Sequence, residues 1–156
     1  MFEIFRSTLE IFTDGSSTGK VGEGGWAFVI INDDDCIYEA SGGEDSTTNN
    51  RMELQAVIES LRYVYKHYPK NLDFTIYSDS QYVVKGINEW FPIWEDKISE
   101  GKEIKNQDLW TDCWSLVCEF PKLDLKWIRG HTGIKYNDRC DKLAKLAKLE
   151  VKNSRK

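Results

Sequence analysis

The chain of 156 residues predicts a mixed α/β sheet in a single domain, and three observations carry that expectation. Apolar runs of strand length recur, two longer segments repeat apolar residues at helical spacing, and turn chemistry separates them. The length matches one ordinary domain, so residues 1–156 are expected to share one core, with a basic tail near 151–156 that frays.

Leu9-Glu10-Ile11-Phe12-Thr13 has the pattern of a short strand, and Asp14-Gly15-Ser16 after it is a turn signal. A glycine-rich stretch from Gly19 to Gly25 leads into Trp26-Ala27-Phe28-Val29-Ile30-Ile31. That run is apolar at every position, as expected of a central strand covered on both faces. Asp33-Asp34-Asp35 turns the chain, and Cys36 to Ser41 is expected to return beside it. Leu54, Val57, Ile58, Leu61, Val64 and Tyr65 recur at helical spacing until Pro69. Phe74-Thr75-Ile76-Tyr77 is a further strand running into Ser78-Asp79-Ser80, which is good capping chemistry. Residues 81–120 read as helix interrupted at Gly86, Pro92 and Gly101. Leu123, Leu125 and Trp127 alternate with Asp124 and Lys126 as a last strand, and Asn137 to Lys152 forms a closing Lys-rich amphipathic helix.

Hydrophobic residues make up 40% of the chain and charged residues 30%, with six Trp, seven Tyr and seven Phe, which excludes disorder and low complexity. Twenty-one basic against twenty-six acidic side chains leave a net charge of −5, which by itself speaks against a nucleic-acid partner. No apolar run approaches the ~20 residues that span a bilayer, so no membrane partner is expected. Met1 to Arg6 lacks the basic start and long apolar stretch of a signal peptide. Cys36, Cys113, Cys118 and Cys140 include no CxxC pair, and His67 and His131 lie far apart, so zinc-ligand spacing is absent. Reduced thiols and a cytoplasmic location are expected.

Acidic residues recur at strand and helix ends. Asp14 closes the first strand, Glu53 opens the long helix, Asp79 closes the fourth strand, and Asp141 lies in the first turn of the last helix. Ligands of open α/β sheets collect where strands end. Four converging carboxylates repel one another unless a cation intervenes, and Mg²⁺ favours such oxygens. Each acid also has a plain structural reading. Asp14-Gly15 is a turn dipeptide, Glu53 lies three residues after Asn50 as in a capping box, Asp79 suits a helix cap, and Asp141 can pair with Lys145.

The surrounding segments decide between these readings. Ile11-Phe12-Thr13-Asp14-Gly15-Ser16, Thr48-Asn49-Asn50-Arg51-Met52-Glu53-Leu54 and Tyr77-Ser78-Asp79-Ser80-Gln81-Tyr82-Val83 closely resemble segments of type 1 ribonuclease H. So do Trp127-Ile128-Arg129-Gly130-His131-Thr132-Gly133 and Asn137-Asp138-Arg139-Cys140-Asp141-Lys142-Leu143-Ala144. The resemblance runs from about Leu9 to Ala147. It implies a ribonuclease H-like fold, a mixed five-stranded sheet with helices on both faces. It also implies a sequence-independent endonuclease that hydrolyses the RNA strand of RNA–DNA hybrids, leaving 5′-phosphate and 3′-hydroxyl ends. Asp14, Glu53, Asp79 and Asp141 match the family's metal-binding carboxylates, which hold two Mg²⁺ ions, with Mn²⁺ as a substitute. His131 matches the histidine of a flexible loop that assists proton transfer and product release. The flanking Gly130 and Gly133 and the near-neutral titration of imidazole suit that role.

A hybrid duplex is close to A-form and presents 2′-hydroxyls in a wide, shallow minor groove. Asn49, Asn50 and Gln81 match family positions that contact that groove. Ser17 and Lys20 lie where the family also approaches substrate, although Lys20 replaces the asparagine common there. Trp90 is expected to touch nucleic acid, whereas aromatic residues spaced like Trp94 are more often core. Residues 95–106 depart from bacterial relatives that carry a basic protrusion here, because three lysines face four acids, a net −1. Residues 141–156 carry a net +4 and could substitute in part, or form a solvated helix face. The presence of all four acids disfavours a non-catalytic hybrid-binding module. A nuclease domain of a larger reverse-transcription or replication assembly is the other alternative, and a stand-alone monomeric enzyme fits best.

Overall fold

The computed structural model describes residues 8–154. The expectations for Met1 to Arg6, Arg155 and Lys156 fall outside the described residues. Five strands form one sheet: β1 (Thr8–Ser17), β2 (Gly22–Asn32), β3 (Asp35–Thr47), β4 (Asp73–Ser78) and β5 (Leu123–Trp127). Their order is β3-β2-β1-β4-β5. The first three form an antiparallel meander, while β4 runs parallel to β1 and β5 parallel to β4. The helices are α1 (Asn49–His67), α2 (Gln81–Lys85), α3 (Phe91–Ser99), α4 (Gln107–Val117) and α5 (Lys135–Ser154).

Residue alternation divides the core between the two faces of the sheet. Leu9, Ile11, Phe28 and Ile30 meet Leu54, Val57, Leu61 and Trp110 on the α1 and α4 side. Phe12, Val29 and Ile31 meet Cys140 of α5 on the other. The continuous apolar run of β2 is therefore explained by two covering layers. Asp33 and Asp34, with φ of 53° and 71°, make the two-residue connection of the β2–β3 hairpin.

Three local expectations need correction. Asp14-Gly15-Ser16 is not a turn, because β1 continues to Ser17 and these residues pair with Ala27, Trp26 and Gly25 of β2. Gly15 is needed for packing rather than turning, since a Cβ there would lie 2.3 Å from the backbone nitrogen of Glu53. β3 extends beyond Ser41 to Thr47, where Gly42, Gly43 and Glu44 pair with Trp26, Gly25 and Gly24. Tyr65 falls off the buried stripe of α1 and is exposed, while Leu54, Val57, Ile58, Leu61 and Val64 are all buried.

Thr48 caps α1 by accepting a hydrogen bond from the Arg51 N–H at 3.2 Å. The helical region after β4 is broken as expected but by different means. A π-helical segment spans Gly86–Trp90, Pro92 lies in the first turn of α3, and Gly101 follows that helix with φ of 82°. Among the described residues no helix is long and apolar enough to cross a membrane.

Candidate active site

The parallel pairing of β1 with β4 brings Asp14 and Asp79 to the same end of the sheet, with Thr13 beside Ser78 in the register. α1 crosses over Gly15 and delivers Glu53 from its second turn. One carboxylate oxygen from each of Asp14, Glu53 and Asp79 lies within 4.8 Å of the others. Asp141, in the second turn of α5 rather than the first, lines the same cavity of about 430 Å³ but stands outside this tight group.

The structural readings of the four acids separate cleanly. Thr48 rather than Asn50 caps α1, so Glu53 is not the glutamate of a capping box there. Ser80 caps α2 by accepting from the Val83 N–H at 3.2 Å, which leaves Asp79 free of that task. Asp141 does pair with Lys145, at 3.0 Å.

Burial and mutual repulsion dominate the electrostatics. Burial, with the neighbouring Asp79 charge, raises the Asp14 carboxyl to about 7 despite hydrogen bonds from the Gly15 N–H and with Glu53. Burial, then Asp14 and Asp79, pushes Glu53 well above the usual carboxylate range. Its Oε1 is buried and has no hydrogen-bond partner. Clustered oxygens, carboxyls that resist ionisation and an orphaned acceptor together define a site that suits a hard divalent cation.

Backbone contacts fix Asp79. The Trp127 indole N–H donates to its carbonyl at 3.0 Å, and the Ile128 N–H donates to the Ser78 carbonyl at 2.9 Å. Gly130 passes so close that a Cβ would lie 2.7 Å from Asp79 Oδ2. His131 lines the cavity from an exposed loop, in the left-handed region with φ of 57°.

The predicted groove residues are distributed around this centre. Asn49 lines the cavity, whereas Asn50 and Gln81 lie outside that lining near the starts of α1 and α2. Ser17, at the end of β1, keeps a buried hydroxyl with no hydrogen-bond partner, and Lys20 is exposed in the following loop. Trp90 is half-buried against Tyr82 and Trp94, with ring centroids 6.1 and 5.1 Å away. Trp94 packs inward on Trp110 and Trp114. Sequence reasoning missed Ser16 in the cavity wall and Trp127 as the support of Asp79. No local sequence signal marks either contact, because both depend on strand pairing.

A central parallel strand pair that gathers carboxylates beneath a crossing helix defines the class: a mixed α/β domain with an acidic cluster suited to a divalent metal ion. The RNase H family model matches residues 6–148. The chain is 42% identical over 148 residues to the ribonuclease H of Mannheimia succiniciproducens, covering 93% of this chain and 90% of that one. It is 44% identical over 147 residues to the ribonuclease HI of Helicobacter pylori, covering 94% and 97%. LC9-RNase H1, a type 1 RNase H with the type 2 active-site motif, superposes with a TM-score of 0.80 at 27% identity, covering 92% and 72%. LC11-RNase H1, solved in complex with an RNA/DNA hybrid, shares the fold with a TM-score of 0.72 at 23% identity, covering 91% and 97%. The chain belongs to the RNase H family and is an enzyme of that kind, a hydrolase of the RNA strand of RNA–DNA hybrids.

Proposed function

We propose that this chain is a sequence-independent endonuclease in which Asp14, Glu53, Asp79 and Asp141 hold two Mg²⁺ ions, with Mn²⁺ able to replace them. The observation that carries the metal assignment is the convergence of three carboxylates around the buried, unpartnered Glu53 Oε1. When bound, such ions activate a water and stabilise the leaving oxygen of a phosphodiester.

The chain's own residues supply the rest. Burial makes the carboxylate charges strong and costly, so they bind a cation in preference to remaining bare. Trp127 and the β4–β5 pairing hold Asp79 in place, while the contact of α1 with Gly15 sets the height of Glu53. His131, exposed at the cavity rim, exchanges protons with solvent near the leaving group and lets the cleaved end depart. Asn49, Asn50 and Gln81 read the minor groove beside the acids, where the 2′-hydroxyl distinguishes RNA from DNA. Ser17, Lys20 and Trp90 flank the duplex farther out. The enzyme acts as a single-domain monomer in the cytoplasm, and leaves 5′-phosphate and 3′-hydroxyl ends.

Labelled RNA–DNA hybrid, duplex RNA and duplex DNA, each incubated with Mg²⁺ or with EDTA, test this reading. Metal-dependent loss of RNA from the hybrid alone is expected, with internal cuts. Cleavage that survives Asp14→Asn or Asp79→Asn rejects the site assignment.

A further inference from the structure

The four acids of the cavity are not equally placed. Three form the tight group, and Asp141 stands apart with the Lys145 ammonium 3.0 Å from its Oδ2. Lys145 lines the same cavity. Asp141, Lys145, Lys148 and Lys152 recur at positions i, i+4, i+7 and i+11 of α5, so they share one stripe of the helix. Their heads are held differently. Lys148 is half-buried and bonded to the Ser16 hydroxyl at 3.2 Å, whereas the Lys145 side chain is 52% exposed on a flexible four-carbon stem.

The geometry points to Lys145 as an exchangeable counter-ion: it holds Asp141 in the empty enzyme, competes there with the divalent metal, and transfers to a phosphate of the hybrid once the metal takes Asp141. This inference rests on the metal assignment proposed above. An ion pair between neighbouring helical turns whose ammonium is half exposed is weak, so a divalent cation displaces the ammonium easily. The displaced ammonium remains tethered in the wall of the cavity that holds the acids, where a phosphate drawn to the metal would meet it. It is therefore a positioning residue for Asp141 in one state and a phosphate contact in the next. Metal affinity and hybrid affinity should accordingly respond to its removal in opposite directions. A residue with a merely structural role would move both the same way or neither.

Lys145→Met keeps the aliphatic stem and removes the charge, and Lys145→Arg keeps the charge. Calorimetric titration of Mg²⁺ or Mn²⁺ into the hybrid-free protein reads the first equilibrium, and KM against kcat at saturating metal reads the second. Lys145→Met is expected to bind metal about two- to fivefold more tightly, the range of a weak exposed pair. Its KM for hybrid is expected to rise several-fold, while Lys145→Arg stays close to wild type in both. Metal affinity that is unchanged or weaker in Lys145→Met, in a protein whose binding is abolished by Asp14→Asn, overturns the exchange and leaves the metal site intact. Metal binding that survives Asp14→Asn overturns the site assignment, and the exchange with it. An unchanged KM overturns the transfer to phosphate.

Discussion

Asp14 and Glu53 are acids placed where a carboxylate is least stable, and the consequence can be measured without substrate. The Asp14 carboxyl, raised from an ordinary 3.8 to about 7 chiefly by burial, keeps a proton in the metal-free folded protein that the unfolded chain has already released. Its contribution to stability is therefore fully present below pH 3.8 and is lost as pH rises through about 7. Glu53 is shifted in the same direction and for the same first reason. Metal-free protein should lose stability between mildly acidic and mildly alkaline pH, and added Mg²⁺ should restore it by binding the folded state alone. Asp14→Asn removes the charge at every pH. In EDTA at pH 8 it should melt above wild type, by several degrees, and its melting temperature should vary less between pH 5 and pH 8. A variant that melts below wild type under those conditions would show that Asp14 is stabilised by its surroundings in the metal-free state. The same acids illustrate what single residues disclose in a sequence. Each carries a plain alternative, and only the longer segments around them separate the two. Asp141 forms the ion pair of its plain reading with Lys145 while lining the same cavity as the other three acids.

Among the elements, the boundary between β1 and α1 is where sequence and structure diverge most usefully. Asp14-Gly15 has the local chemistry of a turn, and nothing within a few residues contradicts it. The strand continues because β2 supplies ladder partners through Ser17 and because α1 packs on the glycine, both of which are long-range facts. The second half of β3 was hidden for the same reason, since Gly42-Gly43-Glu44 has weak strand preference and is held by pairing with β2. In contrast, α1 and β4 were legible because their apolar periodicity records burial directly, and β5 was legible from its alternation although Trp127 at its end is exposed. The close approach at Gly15 gives an element-scale prediction. In Gly15→Ala the new methyl meets the Glu53 backbone at 2.3 Å, and neither a strand nor the second turn of a helix can yield cheaply. Overpacking of this kind costs about 1–3 kcal/mol. Chemical denaturation should report that loss. Cleavage measured well below the melting transition should fall by more than tenfold, because α1 carries Glu53 away from Asp14 and Asp79. Full activity in a destabilised Gly15→Ala protein would mean that the site tolerates displacement of the helix.

Charge is the property that belongs to the whole molecule. A net −5 opposes a polyanion at long range, yet four of those charges belong to acids that line the cavity, and the two divalent cations proposed there would offset them. What remains is close to neutral and nowhere strongly basic around the helical segment that follows β4. Residues 95–106 carry three lysines against four acids, and Lys102 is paired with Glu100 at 3.2 Å. The lysines of α5 nearest the cavity are partly engaged as well, Lys145 with Asp141 and Lys148 with Ser16. Binding that depends on releasing counterions needs free cations along the phosphate track, and each neutralised phosphate adds roughly 0.9 to the slope of log affinity against log salt on B-form DNA. With the 95–106 segment net acidic and Lys145 and Lys148 engaged, affinity should rest on the metal centre and on uncharged groove contacts. Hybrid affinity measured across monovalent salt at fixed Mg²⁺ is therefore expected to show a shallow slope, with a magnitude of about 3 or less. Replacing Glu95, Asp96, Glu100 and Glu103 together by lysine should steepen that slope and tighten binding at low salt, leaving kcat at saturating hybrid nearly unchanged. A wild-type slope with a magnitude above about 5 would require a phosphate-binding surface that neither the 95–106 segment nor the α5 stripe provides.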